Sequence, residues 1–574
     1  MHDDLPPYDI ARLRAAPFTE RIRLLCRTWL FRTTATPPAV YALYIFKISF
    51  LYVGGWWFFC SLTPGFGSIT TFPGWALTAT AFQKAVLWSL FYEGFGLGCS
   101  TGPLTGRFIP PIGGALHFLR PGTTKLALVP GLPVFGGIRR TPLDVALYAA
   151  TLVLILRALV APEITSALVV PIAVLVPILG LTDKTIFLAA RSEHYWVAAV
   201  CLAFAPTSGV WIAGCKLVWL AIWFWAATSK LNSHFPSVIC VMLTNSPFVP
   251  QRLREALYEG YPNDLRPSRV AEGLAHMGTL VEYGFPLVLL AGNGGTVTFV
   301  ALAVMISFHC FIAGNLPMGM PIEWNVAMVF GGAFLFGRHA EASIAAITQA
   351  PVLGVFLFAM LFAVPLFGNF VPSRVSFLMA MRYYAGNWAY SVWLFRGDSI
   401  RKLDRLVKVA PLMRDQLARL IDNEDEVDAA MMMTPTFRLL HLQGRVLHEA
   451  IPKAVDDIEA YEWMDGELIA GLALGWNFGD GHLHGPQLLR AIQEQCDFEE
   501  GELRVVTVES QPMAGRSMAW VIYDAVRGEL DRGQVEISRM RQWQPWPTDE
   551  RAQAFDASTR EGHGHGVSGD LSGG

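Results

Sequence analysis

Seven ionisable side chains in or beside the long apolar runs of this sequence stand out as candidates: Lys47, Lys84, Glu93, Arg157, Lys230, Glu282 and His309. On insertion scales a charged group costs about 2.5–3.5 kcal/mol at the centre of a lipid-embedded helix, so each one needs a partner, an aqueous cavity or a function. For Lys47, Lys84 and Arg157 the ordinary reading is a snorkelling head group or an interhelical ion pair. Glu93 and Glu282 fit the same reading and also fit a cavity wall. Lys230 differs in its surroundings: it follows the aromatic run Trp219-Leu-Ala-Ile-Trp-Phe-Trp225 and precedes Leu231 and Asn232. A dry aromatic setting disfavours an ammonium against the free amine, and a free amine can take a proton. By position alone, a lysine at a helix end is more often an interface anchor.

Two histidines extend the set. His309, in Ile306-Ser-Phe-His-Cys310, and His194, in Ser192-Glu-His-Tyr195 at the mouth of an apolar run, are each ambiguous alone, since a buried neutral imidazole satisfied by a carbonyl is the commoner case. A further polar motif, Trp476-Asn-Phe-Gly-Asp-Gly-His-Leu-His-Gly485, offers Asp480, His482 and His484 to a metal. Without a defined third ligand the better reading is a glycine-rich turn entering a helix at Pro486, with no metal. His563 and His565 sit in a Gly- and Ser-rich tail and add no defined geometry.

The elements that position these residues are membrane helices. Of 574 residues only 16% are charged and 53% are hydrophobic, with 18 Trp and 37 Phe, against roughly 25% charged in soluble domains. Mean hydropathy is +0.38. Apolar runs near residues 39–62, 75–98, 142–161 and 164–182 have the length a bilayer requires, and others lie near 195–214, 212–229, 278–293, 296–315, 321–337 and 350–370. The count predicts about eight to ten spans, with Pro171, Pro177, Pro206, Pro286 and Pro365 tolerated where neighbours satisfy the freed backbone. The fold class read here is an all-α polytopic membrane bundle with a C-terminal soluble α+β domain.

Charge marks the domain limits. From Arg396 the sequence becomes ordinary charged protein, as in Arg401-Lys-Leu-Asp-Arg405. This divides the chain into an N-terminal cytoplasmic segment (1–38), a membrane domain (39–395), a soluble domain (396–548) and a disordered tail (549–574). In the soluble part, helical periodicity covers 410–421 and 436–460, and strand-like Val, Ile and Tyr enrichment covers 503–509, 518–525 and 534–540. Basic residues concentrate in the N-terminus, in 100–141, in 230–277 and after Phe370, which reads as the cytoplasmic side with both termini inside. A net charge of −3 excludes a broadly basic nucleic-acid binder, and the eight cysteines, mostly in apolar runs, show no disulfide framework.

Three motifs in order carry a resemblance. Trp223-Phe-Trp-Ala-Ala-Thr-Ser-Lys-Leu-Asn232, Leu181-Thr-Asp-Lys-Thr185 followed by His194, and Phe308-His-Cys310 continuing to Pro317-Met-Gly-Met320 together resemble the membrane domain of the vitamin K-dependent γ-carboxylases. They are also similar to uncharacterised bacterial transmembrane proteins distantly related to that family. The similarity covers roughly residues 165–340. It implies that Lys230 acts as a base toward a lipidic (hydro)quinone, that His194 helps stabilise an anionic species, and that His309 lines the same pocket. The partners so implied are the lipid bilayer and a lipidic quinone or lipid substrate. The rival from another class is a non-catalytic membrane protein that binds or moves lipid, or scaffolds partners through its soluble domain.

Overall fold

A computed structural model describes residues 10–31, 38–98, 112–188, 191–246, 248–315, 322–375, 379, 382, 385–476 and 481–546. Among these, six helices are long and apolar enough to cross a membrane: Tyr41–Ser61, Pro142–Val160, Ser208–Lys230, Arg269–Ala291, Thr296–Gly314 and Pro351–Phe370. Six full-length helices thus stand where about eight to ten spans were expected. The remaining apolar runs form shorter helices: Ala79–Gly94, Ser166–Thr182, Glu193–Phe204 and Ile322–Gly332. At 1.5 Å per residue the 16 residues of Ala79–Gly94 reach only about 24 Å, short of a ~30 Å hydrocarbon core. Pro206 separates Glu193–Phe204 from Ser208–Lys230, with Ala205 already extended at ψ 134°, because proline disfavours a helical residue before it and lacks an N–H.

One helix lies at the centre. The apolar window of Ser208–Lys230 is 83% buried, whereas the other five candidates are buried over 22–39% of theirs. It is apolar on all sides, as a helix surrounded by others must be. Ile322–Gly332 comes close enough that a Cβ on Gly331 would sit 2.4 Å from the Trp219 ring. The outer helices keep exposed apolar faces, such as Val153, Leu280, Phe299 and Val355.

The C-terminal part folds around an antiparallel sheet. A short ribbon, β1 (Tyr258–Gly260) with β2 (Asp264–Pro267), precedes it between the helices Gln251–Ala256 and Arg269–Ala291. The main sheet comprises β3 (Tyr390–Arg396), β4 (Tyr461–Asp465), β5 (Leu503–Val508), β6 (Ser517–Asp524) and β7 (Gly528–Glu536) in the order β4-β3-β5-β6-β7. β3 is buried along Tyr390–Phe395 and pairs Val392 with Val506 and Leu394 with Trp463. These six residues belong by composition to the membrane part, since a strand covered on both faces reads as a continuous apolar run. β6 alternates, with Met518, Trp520, Ile522 and Asp524 inward, which is the pattern the sequence displays. Residues 534–540 end differently, as β7 stops at Glu536 and Ile537–Met540 turn helical. The expected helix over 436–460 breaks into Thr436–Leu439 and Gly444–Ala454.

The sheet domain is docked on the bundle. Ser233 N–H donates to Gln511 Oε1 at 3.0 Å, Leu265 N–H to Gln544 Oε1 at 2.9 Å, and Gln487 Nε2 to the Ala127 carbonyl at 2.8 Å. Met513 N–H donates to Asn369 O at 2.7 Å. The helix Phe18–Phe31 joins the same face: Arg21 pairs with Glu459, and Phe18 meets Trp463 with ring centroids 6.0 Å apart. Residues of the loop before Pro142, of the segment between the central helix and Arg269–Ala291, and of the helix Phe18–Phe31 thus each touch the sheet domain.

His441 illustrates how dry this domain is. Its ring packs against Phe437 and Trp388, and Nδ1 donates to the Phe437 carbonyl at 2.7 Å. Burial drives the imidazole down to about 3, with the Phe437 carbonyl opposing the shift. The unfolded chain titrates near 6.5, so between these values it holds a proton that the folded state refuses, and stability falls as pH drops through that window. At pH 5 the loss amounts to about 2 kcal/mol. Thermal unfolding of the detergent-solubilised protein between pH 7.5 and pH 5 is expected to show a smaller drop in Tm for His441→Gln than for the wild type.

Candidate functional site

Lys230 is the last residue of the central helix. The small residues Ala226, Ala227 and Ser229 bring that end deep into the bundle, and Thr228 Oγ1 lies 2.6 Å from Tyr283 OH on the neighbouring helix. Lys230 Nζ donates to Glu282 Oε2 at 2.6 Å, and the two side chains are 10% and 5% exposed. The rings of Phe235 and Phe308 each lie 5.5 Å from Nζ. An acid and a base are thus held in hydrogen-bond contact behind an aromatic wall, with a charge-assisted bond and cation–π contacts holding the head group.

His309 stands beside this pair without bonding to it. Trp223 Nε1 donates to His309 Nε2 at 2.9 Å, and His309 Nδ1 lies 2.8 Å from Asn325 Oδ1. An indole N–H only donates, so Nε2 is the acceptor and Nδ1 carries the hydrogen given to Asn325. The ring is fixed as one neutral tautomer, tying the central helix to Thr296–Gly314 and Ile322–Gly332.

His194 occupies a different place. It opens the helix Glu193–Phe204, is 1% exposed, and packs against Tyr195 and Trp324 with centroids 4.0 and 5.8 Å away. Neither ring nitrogen has a hydrogen-bond partner among the described residues. Close by, Arg191 Nη2 donates to Glu93 Oε2 at 2.9 Å and to Glu323 Oε1 at 3.0 Å, all three side chains being 1% exposed. The three residues singled out by the sequence therefore divide, with Lys230 and His309 near Phe308 and His194 by the Arg191 cluster.

The two halves meet on one helical turn. Glu323 bonds Arg191, Trp324 touches His194 and Asn325 bonds His309, three consecutive residues reaching three partners. The preceding Pro317-Met-Gly-Met320 lies outside the described residues. Arg191, Glu323 and Asn325 are functional candidates that sequence reading missed. Their signal was proximity, since Arg191 directly precedes Ser192-Glu-His-Tyr195 and Glu323-Trp-Asn325 opens an apolar run.

Other singled-out residues have structural partners. Lys84 is fully buried and donates to the Phe59 carbonyl at 2.6 Å, and Lys47 donates to Gly98 O at 3.3 Å. Phe59 lies in the last turn of its helix, where carbonyls lack intrahelical donors, so Lys84 serves as a cap and does not snorkel. Asp183 accepts from Arg140 Nη2 at 2.6 Å and from Thr185 N–H at 3.0 Å, while Lys184 Nζ reaches the His482 carbonyl at 3.5 Å. His482 Nε2 lies 2.8 Å from Glu509 Oε2, and His484 Nδ1 lies 2.7 Å from Ser391 Oγ. Pro486 begins the helix Pro486–Cys496. Asp480, His563 and His565 lie outside the described residues.

A helical bundle with buried acid–base pairs and a docked α+β domain defines a polytopic membrane protein. Residues 1–554 match the family described as transmembrane protein of unknown function (DUF3556), and the chain belongs to that family. The match runs through the N-terminal helices, the bundle and the sheet domain together. No curated protein and no solved structure matches the chain.

The Arg191 cluster gives a direct test of what its cation does. Arg191→Met strips two buried carboxylates of a shared donor and is expected to cost about 3–5 kcal/mol. Thermal unfolding in detergent should show a large fall in Tm, with Arg191→Lys falling less because one ion pair survives.

Proposed function

We propose that the protein is a membrane-embedded enzyme in which Lys230 and Glu282 move a proton from a lipid-soluble hydroxyl compound, a lipidic (hydro)quinone being the class that fits. The observation supporting this reading is the nearly dry Lys230–Glu282 contact at 2.6 Å behind Phe235 and Phe308. Phe308 is only half-buried and lies on Thr296–Gly314, a largely exposed helix, with exposed Phe311 one turn on. A flat ring with an apolar tail fits such a wall and enters most directly from the bilayer. When bound, the hydroquinone class supplies an acidic phenolic O–H. Transfer of the shared proton from Lys230 Nζ to Glu282 Oε2 across their hydrogen bond leaves a free amine, and that Nζ is the atom placed to take the phenolic proton. His309 acts as a positioning residue, since both of its ring nitrogens are committed to Trp223 and Asn325. His194 is the imidazole left to donate to an anion, at the far end of the Trp324–Asn325 turn. The resemblance to the γ-carboxylase membrane domain supplies the chemical precedent for the lysine base and nothing beyond that step.

A second reading is favoured by the ion pair itself, which ties two helices together and needs no substrate. In that reading the pocket is a lipid groove of a non-catalytic binding, transport or scaffold protein. Arginine keeps the pair but stays protonated at any accessible pH, so Lys230→Arg separates the two. For the enzyme, nanodiscs carrying wild-type protein should speed the aerobic oxidation of a lipidic hydroquinone over empty nanodiscs. Lys230→Arg and Glu282→Gln should lose most of that gain, about 10²-fold. Wild type should also co-purify with lipidic quinone that Lys230→Ala lacks. Equal absence from both folded proteins counts against the reading, and full function in Lys230→Arg favours the groove.

The same reading puts the sheet domain, and the helix Phe18–Phe31 packed on it, on the cytoplasmic side of a cell membrane. Exposed Arg120, Arg139, Arg252, Arg269 and Arg374 on the segments leading to that side support it. A C-terminal reporter enzyme should be active only in its cytoplasmic form, and activity restricted to the outside would overturn the orientation.

A further inference from the structure

Residues 128–138 are eleven consecutive positions without a polar side chain, Leu-Val-Pro-Gly-Leu-Pro-Val-Phe-Gly-Gly-Ile, and they form no membrane helix. Two prolines and three glycines exclude a helix, and the segment instead projects as a compact loop. Leu128 and Val129 on its first limb and Val134 beyond them are 49%, 48% and 67% exposed. Val134 has φ +70°, a left-handed conformation that a β-branched residue adopts only when its surroundings impose it.

The base of this loop is rigid. Lys125 N–H donates to Ile138 O at 2.9 Å, Arg140 N–H to Thr123 O at 2.8 Å, and Thr124 bridges Arg139. Side chains lock the same base: Lys125 Nζ donates to Asp144 Oδ2 at 2.7 Å and Arg140 Nη2 to Asp183 Oδ2 at 2.6 Å, all four buried. An apolar tip on so firm a stalk is a built protrusion, and contiguous exposed apolar surface of this kind marks a contact with another phase or molecule.

Its position decides which. Leu128 N–H donates to Leu181 O at the end of the helix Ser166–Thr182. Four residues after Ile138, Pro142 starts a membrane-crossing helix whose exposed residues, from Leu143 through Val153 to Val160, run down one face. The tip therefore continues that lipid-facing stripe at the level where the helices end. Exposed Arg139 stands at its root, as a cation suited to lipid phosphates would.

We infer that this loop is an interfacial anchor, inserting Leu128, Val129 and Val134 among the headgroups and upper acyl chains of the leaflet on the sheet-domain side. It would fix the depth and tilt of the bundle against that leaflet. The inference is independent of any catalytic role for Lys230.

The test uses the full chain in lipid nanodiscs with a nitroxide placed on Val129→Cys or Val134→Cys, in a Cys310→Ser background because Cys310 is the exposed cysteine among the described residues. A label on Val526→Cys, at the exposed end of the sheet domain, reports water. Collision with oxygen should exceed collision with a water-soluble nickel chelate several-fold at 129 and 134, with the reverse at 526. Nickel access at the tip equal to that at 526 would overturn the inference. So would a tip label immobilised and shielded from both reagents, which would mean that a protein or a second copy covers the loop.

Discussion

A charge taken out of water must find its counter-charge or a ring of dipoles, and that constraint organises this molecule. Arg191 lies between Glu93 and Glu323, Lys230 meets Glu282, Lys125 meets Asp144 and Arg140 meets Asp183, every one of these side chains being at least nine-tenths buried. Where no carboxylate is available, lysine turns to backbone: Lys84 to Phe59 O, and Lys216 to the carbonyls of His339 and Ala342. Because dispersion and apolar burial scarcely discriminate one membrane helix from another, such polar contacts specify which helices are neighbours. The central helix obeys the same rule, since its interior is aromatic and its one pair of opposite charges sits at the end.

The bundle and the sheet domain are not independent bodies joined by a linker. Phe118 packs edge-on against Trp476 at 4.5 Å, Arg120 donates to the Lys408 carbonyl, and Lys184 reaches the His482 carbonyl. A single family match across residues 1–554 agrees with this. Any change in the bundle at Asn369, whose carbonyl accepts from Met513, is felt by the domain directly.

The candidate site gains its shape from one turn of helix. Glu323, Trp324 and Asn325 point to the Arg191 cluster, His194 and His309 in succession, as neighbours about 100° apart around a helix axis must. The imidazole of His309 has no spare hydrogen-bonding atom, whereas neither nitrogen of His194 has a partner among the described residues. The two histidines are therefore chemically unlike, although the sequence displays them as equivalents.

Much was legible without coordinates because it depends on local pattern. Apolar runs locate most of the helices, and enrichment in Val, Ile and Tyr locates β5 and β6. The continuous run Tyr390–Phe395 misled, since full burial in a sheet and burial in lipid leave the same apolar signature. What only the tertiary structure decided is who meets whom: Lys230 and Glu282 are 52 residues apart, Arg191 and Glu93 are 98 apart, and Arg191 and Glu323 are 132 apart. Periodicity reports which side of its own helix a residue occupies. Long-range pairing depends on how all the helices pack at once, and no window of sequence contains it.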